Sequence, residues 1–222
     1  MKNLLIVDGH SDYPVYVFQE HEKGNKKVIE TRHLPACVKG GVVMEVATVG
    51  GDFKNQAWDG KNPDAVLKTL DYIHEEINSS SALRLVQKKN DLTKIGLPGT
   101  LSIILNLEGA ACVTDDFSLL QTYYNMGVRA MSLTHNQINI FAQGCAVPSG
   151  RGLTDLGKRL IREIDTYHII LDLAHINERC FFQVLEMTYR PVIVSHSNAR
   201  KLCNSLRNFT HAKLVSIAET RG

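Results

Sequence analysis

Several short apolar segments of the sequence lead directly into a histidine, an aspartate or a glutamate. Neutral imidazoles and carboxylates are zinc ligands, and a hydrolytic zinc site keeps one coordination position open for water. Two or three protein ligands per ion are therefore expected, so five suitable groups are enough for two ions if one carboxylate is shared. The candidate ligands are His10, Asp12, Glu108, His175 and His196.

Glu108 is the candidate for the shared ligand, because a bridging carboxylate can hold two cations about 3.5 Å apart. A water between two such ions has a pKa lowered toward neutrality and is polarised for attack on a carbonyl carbon. His135 follows another apolar segment and belongs to the same set of polar side chains. The chemistry favoured by this set is metal-assisted hydrolysis at a carbonyl group.

Each of these residues also has a simpler explanation. A lone histidine after a strand is more often a helix cap or a half-buried polar group than a metal ligand. Asp12 could cap the next helix, and Glu108 before a glycine could be an ordinary strand exit. Their joint occurrence at successive segment ends favours the metal site. The other histidines are interpreted as surface or packing residues: His21, His33, His74, His168 and His211.

The segments that carry the candidate ligands have the pattern of buried parallel strands. They are rich in Val, Ile and Leu and alternate with longer amphipathic stretches, which predicts an α/β fold built from β/α units. In such folds, and above all in (β/α)8 barrels, catalytic groups collect at the carboxyl ends of the strands. The predicted strands are Leu4–Val7, Val42–Val49, Leu101–Leu107, Ala130–Leu133, Ile169–Leu173 and Val192–Val194.

The longer stretches between the strands predict helices. Thr154 is the predicted N-cap of one of them, because Leu156 and Leu160 follow it at helical spacing. Two polar stretches, Gln19–Gly41 and Ser79–Gly99, show no sustained period and are predicted as loops or short excursions from the first and second β/α units. The predicted helices are Pro63–Asn78, Asp116–Met126, Thr154–Thr166 and Asn177–Thr188.

Bulk properties restrict the class of protein. A chain of 222 residues can bury one sizeable core, so a single domain over residues 1–222 is expected. Its 25 basic and 23 acidic residues give a net charge of +2 without like-charge runs, so neither nucleic acid nor an anionic membrane is indicated as a partner. The first apolar run ends at Asp8 and is too short for a signal peptide or a membrane span, which makes the cytoplasm the expected location. The five cysteines form no CxxC pair and are expected to be reduced.

Six motifs occur along the chain in the order DGHSD, LEG, LTHNQIN, GLTDLG, IILDLAH and PVIVSHSNAR. Together they resemble the membrane (renal) dipeptidase family of zinc peptidases, from Asp8 to about Gly222. The resemblance is specific because six motifs agree in order. It implies a (β/α)8 TIM barrel of the metal-dependent amidohydrolase type and hydrolysis of dipeptides, some of them with a D-residue at the carboxyl end.

The resemblance also implies two zinc ions as cofactors and divides the ligands between them. By this resemblance, His10 and Asp12 would bind one ion. His175 and His196 would bind the other ion, and Glu108 would bridge the two.

For the dipeptide substrate, the resemblance implies two further roles. His135 would lie beside the substrate and help to stabilise the tetrahedral intermediate. Arg207 would receive the free carboxylate of the dipeptide, for which a guanidinium fork is suited. Without the resemblance, Arg207 could equally be a solvated charge at a helix end.

Known members of the family continue beyond the segment that matches Asn208–Gly222, with two more strands and an aspartate that handles the catalytic proton. The expectation is therefore a C-terminally truncated barrel of about six β/α units. No other Asp or Glu is expected at a strand end where it could obviously replace that aspartate. The open edges of such a sheet could pair with another chain, so three outcomes are open: a homo-oligomer formed through these edges, poor solubility, or a requirement for a missing fragment.

Three functions stay in competition. The first is a zinc dipeptidase, and the second is a catalytically inactive metal-binding remnant of such an enzyme. The third is another amidohydrolase that acts on a non-peptide amide or a lactam. His10-Ser11-Asp12 argues against the third, because most of that superfamily has His-x-His after the first strand.

Overall fold

A parallel β-sheet carries the predicted site in the computed structural model, which describes residues 4–55, 58–147 and 150–220. Its central strands are almost continuously apolar and buried, as expected for strands covered on both faces. The first strand begins two residues later than predicted and includes His10, so its polar carboxyl end is part of the sheet. The strands are β1 (Ile6–Ser11), β2 (Val42–Gly50), β3 (Leu83–Leu85), β4 (Leu101–Glu108), β5 (Val128–Ser132) and β6 (Ile170–Asp172).

The order of the strands across the sheet is β1-β2-β4-β5-β6, and all neighbours are parallel. The short strand β3 pairs with the first residues of β4. Parallel pairing places the carboxyl ends of all strands at one edge of the sheet. The α/β class is therefore confirmed, and in the described residues the sheet is open because its outermost strands are β1 and β6.

The predicted strand Val192–Val194 runs beside β6 but forms only a single parallel bridge, between Ile193 and Asp172. Ile193 donates to the backbone oxygen of Leu171, and Leu173 donates to that of Ile193, at 3.0 and 2.8 Å. No strand in the described part of the chain pairs with its other edge, which explains why the ladder is so short. The segment still delivers its carboxyl end to the same face as the other strands.

Four predicted helices are confirmed, one with both predicted ends and the others within two residues. Asn62 caps α3 by accepting a hydrogen bond from the backbone of Asp64. Thr154 caps α5, as predicted, by accepting one from the backbone of Gly157 at 2.9 Å. The helices are α1 (Tyr13–Glu22), α2 (Leu34–Gly40), α3 (Pro63–Asn78), α4 (Ser118–Asn125), α5 (Asp155–Thr166), α6 (Glu178–Met187) and α7 (His211–Glu219).

The two predicted loops are wrong in part. Gln19–Gly41 contains the end of α1, a π-helical turn and all of α2. Its helical pattern is hidden because polar side chains are paired in the interior, as where His21 lies 2.7 Å from Glu76. Ser79–Gly99 contains β3 and a 3-10 turn, and a strand of three residues is too short to show a period.

The core lies between the sheet and the helices. Leu70 and Ile73 of α3, Ile103 and Leu105 of β4, and Leu160 of α5 are fully buried. Within the described ranges, no helix is long and apolar enough to cross a membrane. All five cysteines are free thiols, and only Cys203 is exposed.

Candidate metal centre

Glu108, the last residue of β4, lies at the centre of the predicted site and is buried. Gly109 follows it with a φ of 80°, and a Cβ there would lie 2.8 Å from the backbone nitrogen of His135. Only glycine allows this close approach, because it has no Cβ and adopts positive φ without strain. The Glu-Gly pair thus places the carboxylate against the end of β5.

Three imidazoles converge on one oxygen of Glu108. The Nε2 atoms of His175, His196 and His10 lie 3.0, 3.6 and 3.9 Å from Glu108 Oε1. The Nε2 atoms of His175 and His196 are 2.8 Å apart, and the rings of His10 and His196 are stacked with centroids 3.7 Å apart. Residues from β1, β4 and the segments after β6 and Val194 therefore meet at one point, as predicted.

This arrangement fits a bound cation. Glu108 Oε1 is buried and receives no well-aligned hydrogen bond, although three ring nitrogens surround it. Burial alone would raise the pKa of Glu108, but the contact with His175 and the charges of His175, His135 and His10 lower it to about 2. A buried carboxylate and nitrogen lone pairs that face one another are a donor set suited to zinc.

The Nδ1 atoms of His175 and His196 each have a hydrogen-bond partner. His175 Nδ1 lies 2.9 Å from Asn136 Oδ1, and His196 Nδ1 lies 2.8 Å from Ser195 Oγ. Ser195 donates its hydroxyl hydrogen to the buried Asp172 at 2.5 Å, so its oxygen is left to accept from His196. Both rings then carry hydrogen on Nδ1 and present a bare Nε2 to Glu108, which is the orientation of metal-binding histidines.

The backbone at His175 is strained. Its φ is 64°, in the left-handed region that non-glycine residues rarely adopt and that costs about 1–3 kcal/mol. Two contacts hold it there, since Asp172 accepts from the backbone of Ala174 at 2.9 Å and His175 O accepts from Cys145 at 2.6 Å. This backbone conformation directs the imidazole toward Glu108 immediately after β6.

The two candidate ligands on β1 and after it are held less firmly. His10 Nδ1 lies 3.3 Å from Thr48 Oγ1, and Asp12 Oδ1 lies 3.2 Å from His10 Nε2. The side chain of Asp12 is 71% exposed, whereas that of Glu108 is 9% exposed. Burial would lower the pKa of His10, but Asp12 and Glu108 together raise it.

His135, predicted beside the substrate, lies on the other side of the carboxylate. Its Nε2 is 3.8 Å from Glu108 Oε2, and its ring centroid is 4.3 Å from that of His175. Side chains close enough to share a cation form two overlapping groups: His10 with Glu108 and His196, and His135 with Glu108 and His175. Geometry alone therefore groups the residues differently from the pairs that the resemblance implies.

Arg207, predicted to receive the substrate carboxylate, reaches the same site. Its Nη2 donates to the backbone oxygen of His196 at 2.7 Å, whereas its Nη1 is buried and has no hydrogen-bond partner among the residues that the structure describes. Burial lowers the pKa of Arg207. One arm of the guanidinium thus holds the protein, and the other arm is left for an anion.

Sequence reasoning missed four residues that contact the predicted ones. Asn136, Asp172 and Ser195 lie in the same motifs as the predicted residues, within three positions of them. Their polar side chains at these positions are the feature that could have identified them. Asp52, two residues beyond β2, gave no such signal because glycines separate it from the strand. Its carboxylate lies 3.4 Å from His135 Nδ1.

Comparison with known proteins gives the family. The sequence model of the family described as membrane dipeptidase (peptidase family M19) matches residues 1–222. The chain is a member of the membrane dipeptidase family. The resemblance seen in the six motifs is therefore confirmed.

Several members with curated sequences are similar to this chain. Dipeptidase 3 of Homo sapiens is 27% identical over 222 residues, which cover 94% of this chain and 44% of the human protein. An uncharacterised dipeptidase of Schizosaccharomyces pombe is 29% identical over 234 residues, which cover 93% of this chain and 55% of the yeast protein. The chain thus spans about half the length of these relatives.

Two solved structures share the fold, each with a TM-score of 0.86. One is a metallopeptidase from Rhodobacter sphaeroides bound to a phosphinate mimic of the dipeptide L-Ala-D-Ala; it is 21% identical, and the match covers 99% of this chain and 72% of that chain. The other is a dipeptidase described as a metallopeptidase of family M19; it is 22% identical, and the match covers 100% and 71% of the two chains. These similarities confirm the arrangement of strands and helices.

Proposed function

We propose that this member of the membrane dipeptidase family is a zinc-dependent dipeptidase with a binuclear site. The observation that carries the proposal is the convergence of three Nε2 atoms, those of His175 and His196 being bare, on the oxygen of Glu108 that has no hydrogen-bond partner among the described residues. His10 and Asp12 would hold one ion, His175 and His196 the other, and Glu108 would bridge them. When bound, the ions would supply Lewis acidity and an activated water, as two-metal hydrolases do.

The space beside Glu108 and His135 is suited to a small substrate. A cavity of about 340 Å³ opens there, with Val15, Phe53 and Trp58 among its lining residues. This volume is at the lower end of the range for small-molecule sites. It supports a substrate of dipeptide size.

Two side chains would bind and orient the dipeptide. The free Nη1 of Arg207 would take the terminal carboxylate, and the preference for a free carboxyl end would restrict the enzyme to very short peptides. His135 Nε2 faces the metal centre and would donate to the carbonyl oxygen as negative charge develops on it. We therefore assign Arg207 to binding and His135 to both binding and catalysis.

The test is hydrolysis of a dipeptide panel by the zinc-loaded chain, with metal content measured on the same samples. The panel includes L-Ala-D-Ala, because a metallopeptidase of this fold binds a mimic of that dipeptide. His175→Ala is the blank and should lose bound metal together with turnover. His135→Ala is its counterpart and should lose turnover with its metal content intact.

Other outcomes decide between the alternatives. A folded chain with two zinc ions and no turnover would support the catalytically inactive metal-binding protein. Cleavage of a lactam without cleavage of any dipeptide would support the non-peptide amidohydrolase. Loss of metal in His135→Ala would show that His135 is a ligand and not a substrate residue.

We also propose that residues 1–222 form one catalytic-type domain whose sheet is an incomplete barrel, with the closing strands supplied from outside these residues. The family structures extend beyond the matched part, and Leu4 and Leu5, which precede the outermost strand β1, and Val7 within it are 74%, 65% and 54% exposed. An exposed apolar edge of this kind pairs readily with another strand. In isolation the chain should therefore self-associate, which sedimentation at several protein concentrations would detect.

A further inference from the structure

Asp52 contacts the proposed substrate residue His135 through both its backbone and its side chain. Its backbone N–H donates to His135 Nδ1 at 3.2 Å. Its carboxylate accepts from the backbone N–H of Gln137 at 2.7 Å and lies 3.4 Å from the same ring nitrogen. The side chain of Asp52 is 15% exposed, and its backbone contact with His135 is partly buried, whereas the bond from Gln137 is exposed to solvent.

Two groups of Asp52 compete for Nδ1 of His135, and the backbone N–H, which is the nearer at 3.2 against 3.4 Å for the carboxylate, determines which ring nitrogen carries hydrogen. A nitrogen that accepts a hydrogen bond must present a lone pair, so Nδ1 is bare and the neutral ring carries its hydrogen on Nε2. That Nε2 faces Glu108 at 3.8 Å. Asn136 Nδ2 lies 3.3 Å from both ring nitrogens and therefore does not favour either one.

The tautomer of His135 decides whether this residue can act as a metal ligand or as a hydrogen-bond donor to the substrate. Its Nε2 is near enough to Glu108 and His175 to share a cation with them. However, a nitrogen that carries hydrogen has no lone pair for a metal and can only donate. His175 shows the opposite arrangement, because Asn136 accepts from its Nδ1 and leaves its Nε2 bare.

The carboxylate of Asp52 holds this backbone N–H in place. Gly51, which precedes Asp52, has a φ of 96°. Its Cα faces the site, because a Cβ on it would lie 3.5 Å from Glu108 Oε2. Such a turn needs an anchor, and the bond from Gln137 ties it to the segment that follows β5. Without that bond, the backbone of Asp52 would lose its fixed distance from the imidazole.

We propose that Asp52 is a positioning residue that keeps His135 out of the metal coordination and makes its Nε2–H a donor to the substrate. The proposal rests on the dipeptidase function proposed above only for the identity of the acceptor. The state of the ring is a property of the protein alone. It can therefore be measured even if no dipeptide is cleaved.

The direct test is nitrogen-15 NMR of the histidine rings in the zinc-loaded protein, with the His135 signals identified by their loss in His135→Gln. We expect hydrogen on Nε2 and a bare Nδ1 in the wild type and in Asp52→Asn, whose amide oxygen can still accept from Gln137. In Asp52→Ala this preference should be lost. Hydrogen on Nδ1 in the wild-type protein would overturn the proposal.

The kinetic test compares the same variants on a cleaved dipeptide. Asp52→Ala should lower kcat roughly tenfold to a hundredfold and raise KM by a smaller factor, because a misplaced donor affects the reacting centre more than the binding of the substrate. Asp52→Asn should stay close to the wild type. An equal loss of kcat in both variants would show that the negative charge of Asp52 is needed, and not its hydrogen bond from Gln137, and would overturn the proposal.

A matched control lies in the same loop. The carboxylate of Asp59 pairs with Lys54 and accepts from the backbone of Lys61. Asp59→Ala should leave kcat and the ring signals of His135 unchanged. If it lowers kcat as much as Asp52→Ala does, general loosening of the loop is sufficient and Asp52 has no specific role.

Discussion

The two halves of the proposed metal centre, His175 with His196 and His10 with Asp12, are built differently. His175 and His196 are backed by Asn136 and by the Ser195–Asp172 pair, and the side chain of His175 is 8% exposed. On the opposite side, the side chain of Asp12 is 71% exposed, and the Nδ1 atom of His10 is supported by a contact of 3.3 Å to Thr48 Oγ1. One half is therefore preorganised by its neighbours, whereas the other half depends more on the ion itself.

This difference follows from the elements that carry each half. His175 and His196 follow neighbouring segments that pair through Ile193, so their supporting groups are fixed by the same sheet. Asp12 directly precedes α1 at the outer edge of the sheet, and its side chain makes no capping hydrogen bond. Rigid support favours metal affinity, and an exposed ligand leaves room for the substrate.

Glu108 belongs to both halves, so its replacement should have the largest effect. Glu108→Gln keeps the shape of the side chain but removes the charge that a bridging ligand needs. We expect loss of both zinc ions and a fall in turnover of at least roughly a hundredfold. Mutation of residues that only support a metal ligand already lowers metal affinity or activity by up to about that factor. Metal content and dipeptide hydrolysis measure this, and two retained ions would contradict the bridging role.

Replacing one ligand in each half tests the comparison itself. His175→Ala should lose its ion at zinc concentrations at which Asp12→Ala still binds both, because Asp12 faces solvent and water can take its place. Zinc titration with a competing chelator gives the two affinities. Equal weakening in the two variants would show that the halves are equivalent in spite of their different surroundings.

Supporting residues should show the same asymmetry on a smaller scale. Ser195→Ala breaks the link between His196 and Asp172 and should weaken zinc binding roughly tenfold to a hundredfold. Thr48→Ala removes a long contact, 3.3 Å, to His10 and should weaken zinc binding less than Ser195→Ala does. A stronger effect of Thr48→Ala would reverse the assignment of the preorganised half.

Much of this site could be predicted from sequence because strand ends are marked by a change from apolar to polar residues. Glu108, His175 and His196 were found in this way, since parallel strands bring their carboxyl ends to one face. The exposure of Asp12 could not be predicted, because it depends on how α1 leaves the sheet. Asp52 was also out of reach, since its contact with His135 joins residues 83 positions apart.

The fold shows the same limit. Strands β2 and β4 were predicted almost to their ends because they are long and apolar, and α3 was predicted from its spacing. Helix α1 was missed because two of its polar residues, Glu20 and His21, are buried and paired within the protein. Such pairs are visible only once distant segments are placed together.

The smallest effect on the metal centre is expected at Lys213 on α7, beside the firmly supported half. Its side chain is buried, with Nζ 5.1 and 5.0 Å from the ring centres of Phe181 and Phe209, and burial lowers its pKa to about 8. Lys213→Met should leave zinc affinity unchanged. It should raise the free energy of unfolding by about 2 kcal/mol at pH 7, because a buried charge is removed while two cation–π contacts are lost.

The pH dependence identifies the cause of that gain. The penalty for burying the charge is complete below the folded pKa of Lys213, decreases as pH rises from about 8 to 10.5, and is absent above that range because both states are then neutral. The advantage of Lys213→Met, measured by urea unfolding, should therefore shrink over that interval, whereas the exposed Lys201→Met should stay within about 0.5 kcal/mol of the wild type throughout. A Met variant less stable than the wild type at pH 7 would mean that the contacts with Phe181 and Phe209 outweigh the cost of burial, and that the lysine stabilises the half of the site it lies beside.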